Sequence, residues 1–233
     1  MRFLILLLFM NGVTMTQDWA NLNKYKKQNS KLGPPKINGN RIVFMGNSIT
    51  ESWSELYPEY FSEKDYINRG IGGQTTPQML IRFRADVIDL KPKIVVILAG
   101  TNDIAGNTGP TTVKMITDNI ISMAELARSN RIHGILSSIL PAADYPWNPG
   151  FNPPEKITAV NYILKKYTER NGITYLDYYS SMVTSNKGLK KRIYIRWCTP
   201  QSGYELMSSL ADKAISETLD LIGKSEYKPK PYL

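Results

Sequence analysis

Ile94-Val95-Val96-Ile97-Leu98-Ala99-Gly100-Thr101-Asn102-Asp103 is an apolar run that stops abruptly at a polar, glycine-bearing turn. Five aliphatic residues without polar alternation fit a strand buried on both faces, as in a parallel sheet covered by helices on each side. The pattern recurs at Ile42-Val43-Phe44-Met45, within a strand expected over 41–45, which runs directly into the loop Gly46-Asn47-Ser48-Ile49-Thr50. Further strands are expected over 66–68, 134–140 and 173–176. Between them Val113, Ile116, Ile120, Met123 and Ala127 repeat at helical spacing, as do Ile157, Val160, Leu164 and Tyr167. A last helix carries Met207, Leu210, Ala214 and Leu221. Alternating strand and helix predicts an α/β fold: a three-layer α/β/α sandwich around a five-stranded, parallel, doubly wound sheet of flavodoxin-like type. Sites in such sheets form at the carboxyl ends of the strands, so the loops after the strands are where chemistry is expected.

Composition agrees with one globular domain. With 42% apolar and 21% charged residues among 233, the chain has the makings of a sizeable core, which excludes disorder, collagen and coiled coil. No repeat or Ser/Gly-rich linker divides it, and one domain is expected over 40–223, after an N-terminal helical segment over 17–39 and before a tail over 224–233. The 29 Lys+Arg against 20 Asp+Glu give +9, but the basic residues fall in short groups such as Lys24, Lys26 and Lys27. No nucleic-acid partner is expected from that distribution. Arg2 followed by the apolar run Phe3 to Met10 fits a secretory signal peptide over 1–16 and is too short to span a bilayer. The expected location is secreted or periplasmic, without a transmembrane anchor. Cys198, the single cysteine, excludes an internal disulfide framework and a cysteine-cluster metal site.

Three loops carry candidate chemistry. Ser48 sits on a tight strand-to-helix turn, where a hydroxyl is exposed near the positive end of the next helix; the alternative for such a serine is an ordinary helix cap. Asn68-Arg69-Gly70-Ile71-Gly72-Gly73-Gln74-Thr75-Thr76 offers a glycine amide, and Gly100-Thr101-Asn102-Asp103 an asparagine side chain, as neutral donors to a substrate oxygen. Taken singly, each is also a common turn.

In this order, each after a strand, the three blocks resemble the SGNH hydrolases, also called GDSL-type lipases and acylhydrolases, over about residues 41–222. The resemblance implies a serine nucleophile, Ser48, with Gly73 and Asn102 building the oxyanion hole. It also implies ester hydrolysis through an acyl-serine intermediate, without metal or cofactor. The family usually has aspartate before the serine; here Asn47 stands there.

A neutral serine needs a base. The family supplies a histidine three residues after an orienting aspartate, in an Asp-x-x-His-Pro run shortly before Gly-Tyr. Here Pro200 and Gly203-Tyr204 are present, but Arg196 holds the aspartate's place and Thr199 the histidine's. His133, the only histidine, precedes the last strand and reads as a helix-end or surface residue. A codon choice consistent with residues 192–202 reads Glu-Tyr-Thr-Ser-Asp-Gly-Val-His-Pro-Asn from its second base, restoring both residues in their expected places. Compensating frameshifts around 192–202 would then explain the lone cysteine and lower the net charge from +9 to +5, two arginines becoming acids (9 − 4). The competing account is a diverged relative that has lost its base.

The stretch Ala142 to Pro154 is long enough to suggest function and carries Tyr145, Trp147 and Phe151. With Trp53, these aromatics are candidates to stack on a sugar ring; equally, they pack the loop onto the sheet. For an exported member of the family the substrate reading is a small-molecule or carbohydrate ester, foremost an O-acetylated carbohydrate, with lysophospholipids or other short acyl esters next. A sugar-binding protein without activity is the other class of function. The sequence leaves the oligomeric state open.

Overall fold

The computed structural model describes residues 18–189 and 200–224. The expected signal peptide, Arg196, Thr199, Cys198 and nearly all of the tail lie outside the described residues.

In chain order the elements are α1 (Lys26–Lys31), β1 (Ile42–Gly46), α2 (Ser48–Leu56), α3 (Glu59–Ser62), β2 (Tyr66–Gly70) and α4 (Thr76–Asp86). A 3-10 turn (Ile88–Leu90), β3 (Ile94–Leu98), α5 (Thr101–Ile104), α6 (Val113–Ser129), β4 (His133–Ser137) and α7 (Pro153–Asn171) follow. Then come β5 (Thr174–Leu176), α8 (Tyr178–Met182) and α9 (Pro200–Lys224). The strands are all parallel, in the order β2-β1-β3-β4-β5. This is the doubly wound three-layer sandwich expected from the sequence.

Two cores explain the unbroken apolar strands. On β1, Val43 and Met45 face one layer, where Met79 and Phe83 of α4, Ile116 and Ile120 of α6, and Val160 and Leu164 of α7 are buried. Ile42 and Phe44 face the other, with Trp53 of α2, Phe61 of α3, Tyr178 of α8, and Tyr204 and Met207 of α9. Each such aliphatic side chain contributes about 1.5–3 kcal/mol when fully buried, so a polar residue on either face would be costly.

Strand ends differ from expectation for local reasons. β4 stops at Ser137 rather than at 140 because the backbone of Ile139 is captured by a side chain: its N–H donates to Asn161 Oδ1 at 2.7 Å and its carbonyl accepts from Asn161 Nδ2 at 3.0 Å. Pro141 then removes the next useful donor. In the 17–39 segment the helix is confined to Lys26–Lys31. The remainder works as a strap, with Gln78 Nε2 donating to the Trp19 carbonyl at 2.6 Å, Gln74 Nε2 to the Ala20 carbonyl at 2.8 Å, and the Tyr25 hydroxyl to the Gly70 carbonyl.

β2 extends to Gly70, where α2 crosses so closely that a Cβ at this position would lie 2.1 Å from the backbone nitrogen of Glu51. The atoms met are backbone, so no side-chain rotation relieves the clash. Gly70→Ala should therefore destabilise the fold by about 1–3 kcal/mol, the usual range for overpacking, as read from urea denaturation.

Candidate active site

The strand order reverses between β1 and β3, which leaves a crevice beyond their carboxyl ends. Gly46 pairs with Gly70 on one side and with Leu98 on the other, so the three loops leave the sheet at one level.

Ser48 opens α2. Its neighbour Asn47 is buried in the N-cap position, and the Asn47 Oδ1 accepts from the Ile49 amide at 3.0 Å. A neutral carboxamide thus does the capping work of the family's usual aspartate. Gly73 adopts a φ of +75°, where a Cβ would be strained. The loop around it is fixed at successive residues: the Gly72 amide donates to Glu51 Oε2 at 2.7 Å, and the Gly73 carbonyl accepts from Asn107 Nδ2 at 3.0 Å.

Asn102, buried in α5, donates from Nδ2 to the Gln74 carbonyl at 2.9 Å. An amide nitrogen has two hydrogens, and one is spent here, so the amide plane is set and the second remains available. A flipped amide would bring two acceptors together. Asp103, beside it, ties this loop to α4: its carboxylate accepts from the Thr76 amide at 3.0 Å and from Thr76 Oγ1 at 2.6 Å. Burial pushes the Asp103 pKa above the usual carboxylate range, and the Thr76 bonds work against that rise.

Ser48, Gly73 and Asn102 line one cavity of about 720 Å³. The fold therefore gathers the three candidate residues of the sequence in one place. Ile49, Thr101, Asn107 and Tyr204 join them, and the far walls are Leu140 to Trp147 and the turn from Thr184 to Leu189. Among the described lining residues, Asp144 is the one charged side chain.

The aromatic candidates part company. Trp147 lies on the wall with 54% of its surface exposed, its ring 4.8 Å from that of Tyr145. Tyr145 borders the cavity but is buried to 1% exposure, so it acts as the footing beneath Trp147 rather than as an open face. Burial pushes its phenol pKa up, with Asp103 adding to the rise. Trp53 and Phe151 do not line the cavity. Five residues after Ser48, at about 100° per residue, Trp53 points to the other side of α2; it stacks between Tyr60 and Tyr204 and donates to Ser208 Oγ at 3.2 Å. Phe151 packs instead against Gly106, where an added Cβ would lie 3.1 Å from its ring.

Sequence reasoning missed Asn107 and the Thr184–Leu189 turn. The turn had a signal in its Thr-Ser-Asn-Lys-Gly chemistry but nothing to show what it faces. Tyr204, noted only beside the fourth block, proves to be a wall residue whose hydroxyl donates to the Ile49 carbonyl at 2.8 Å.

His133 is at the wrong edge. It opens β4 in register with Ile94, and so with Ile42, four residues back from Gly46, or roughly 13 Å at the rise of a strand. Burial lowers its pKa. Among the described residues, no three His, Cys, Asp or Glu come together as a metal site would require.

The three-layer fold with Ser48, Gly73 and Asn102 on one cavity is the architecture that the sequence resemblance implied, and the comparisons give the family. Residues 44–194 match the sequence model of the GDSL-like lipase/acylhydrolase family, and the chain belongs to that family. The match stops short of positions 196 and 199. A solved structure of a provisionally assigned acylhydrolase from Bacteroides fragilis is 50% identical with a TM-score of 0.84, covering 87% of this chain and 99% of its own. A GDSL-like lipase from Bacteroides thetaiotaomicron is 44% identical with a TM-score of 0.83, covering 85% and 98%. Among curated proteins, the platelet-activating factor acetylhydrolase IB subunit alpha1 of Bos taurus is 30% identical over 56% of this chain and 54% of its own length. A Bacillus subtilis protein called uncharacterized lipoprotein YqeF is 41% identical over 33% of each chain. The matches thus span a third to about half of these curated relatives.

As the oxyanion donor that the resemblance implies, Asn102 should act on the transition state, where charge develops only during attack. In a chain carrying Arg196→Asp and Thr199→His, Asn102→Ala should lower kcat by about 10²–10³ with little change in KM, measured on an aryl acetate. A change confined to KM would assign Asn102 to binding.

Proposed function

We propose that this protein is an exported serine ester hydrolase acting on O-acetylated neutral carbohydrates. One observation carries the reading: Ser48, Gly73 and Asn102 share a cavity with an exposed tryptophan and with a lining that, among the described residues, holds no cation. A phosphate-bearing lipid headgroup would call for Arg or Lys at the site. A neutral sugar calls for an aromatic face and uncharged hydrogen-bonding groups, which Trp147, Asn107, Thr184 and Asn186 offer. Export is supported by the Arg2 to Met10 pattern and by the lipoprotein name of the Bacillus relative. An acetyl group as the acyl portion transferred to Ser48 is supported by the name of the bovine acetylhydrolase.

In this reading Ser48 Oγ attacks the acetyl carbonyl, its proton passing to a base, and the oxyanion is held by the Gly73 amide and Asn102 Nδ2. Collapse expels the sugar hydroxyl, which takes that proton, and leaves acetyl-Ser48. Water then attacks with its proton going to the base, and acetate departs as Ser48 recovers its hydrogen. The base is the histidine that the shifted frame writes at position 199, oriented by an aspartate at 196. Support for that placement is the described end of α9, which begins at Pro200 and sets Tyr204 against the cavity.

The chain as written lacks this pair, and that favours a second reading, a sugar-binding protein that has kept the pocket. Sequencing the gene across codons 190–203 separates the two. The unaltered chain should be nearly inactive, since without a base only binding and the oxyanion hole remain, roughly 10³–10⁴ over the uncatalysed reaction. Arg196→Asp with Thr199→His should restore aryl acetate turnover, histidine alone recovering less because Arg196 opposes an imidazolium. Robust turnover by the unaltered chain would reveal a different base.

Binding should not need the base. Titration with acetylated and bare oligosaccharides should show about tenfold weaker affinity in Trp147→Ala, the loss expected for one aromatic face. Equal affinities would leave Trp147 a packing residue.

A further inference from the structure

Gln74 is buried to 1% exposure in a loop whose preceding residues, Gly72 and Gly73, are exposed. A buried carboxamide needs partners to offset its lost hydration, and both ends of this one have them. Oε1 accepts from Arg82 Nε at 2.5 Å, and Nε2 donates to the Ala20 carbonyl at 2.8 Å. Arg82, with no exposed side-chain surface, is held by Asp86 at 2.9 Å and donates from Nη2 to the carbonyls of Gly46 at 3.1 Å and Arg69 at 2.9 Å. One guanidinium therefore grips β1 two residues before Ser48, the end of β2, and the Gln74 side chain. The Gln74 carbonyl is in turn what fixes Asn102 Nδ2.

We propose that Gln74 is a positioning residue for ester hydrolysis: its side chain, clamped between Arg82 and Ala20, holds the backbone carbonyl that orients the Asn102 donor relative to Ser48. The inference rests on Asn102 being an oxyanion donor. Displacement of a catalytic donor by about 1 Å is enough for a large loss of rate, whereas substrate contacts on the opposite walls are untouched. Loss of the clamp should thus be read in kcat and not in KM.

Kinetics and spectroscopy test it on the full chain. With Arg196→Asp and Thr199→His present, Gln74→Leu should lower kcat per folded molecule by tenfold or more and leave KM within twofold. Combined with Asn102→Ala, it should add nothing further, since both changes remove the same contribution. A residue that merely supports the fold would lower the melting temperature and leave kcat alone, and that result overturns the proposal. Independently of any turnover, the Asn102 side-chain amide, assigned by its disappearance in Asn102→Ala, should carry one exchange-protected proton in the unaltered chain and lose that protection in Gln74→Leu. Protection that survives in Gln74→Leu overturns the proposal even where no variant is active; universal inactivity would count instead against the fourth-block reading. If Gln74→Leu fails to fold, Gln74→Glu keeps the acceptor for Arg82 but not the donor to Ala20, and should shift both readouts in the same direction; no shift in either overturns the proposal.

Discussion

A single direction of chain travel governs this molecule. Because all five strands are parallel, each delivers its following loop to the same edge of the sheet, and each must be returned by a helix that covers one face. That is why Ser48, Gly73 and Asn102, separated by up to 54 residues (102 − 48), meet at one cavity, and why His133, at a strand's beginning, is excluded from it. The reversal of strand order beside β1 supplies the opening between the loops.

Loops held only at their ends move readily, and here buried charge restrains the ones that carry Gly73 and Asn102. The Arg82–Asp86 pair, almost wholly removed from water, contributes little net stability for its desolvation, but its spare donors reach two strand ends and the loop that carries Gly73 and Gln74. Asp103 does the same from the other side, accepting from the first turn of α4. The ionic groups that restrain these loops are buried beneath them, while the described lining of the cavity carries Asp144 as its one charged side chain.

The layers were legible because strands buried on both faces write themselves as unbroken aliphatic runs, as at Ile42 to Met45 and Ile94 to Leu98. The three blocks were legible because their chemistry is local. What escaped was set by direction or by distant partners. Trp53 lies close to Ser48 in sequence, yet the helix turns it into the core. The end of β4 is decided by Asn161, 22 residues beyond the Ile139 that it captures, and no strand pattern could announce it. Gln74 read as one more polar loop residue, since its worth lies in what grips it.

The contact between Tyr204 and the Ile49 carbonyl, with Trp53 bonded to Ser208, has a consequence for how the molecule comes into being. Both bonds join residues 155 apart, fastening α2, the helix that Ser48 opens, to α9. Contacts of such long range form late, after the local helices and the neighbouring strands have condensed. A growing chain on the ribosome can thus pair β1, β2 and β3 while one wall of its cavity has yet to be synthesised. Ser48 is made early and becomes enclosed only when α9 docks, so an incomplete chain presents this serine with no finished pocket around it.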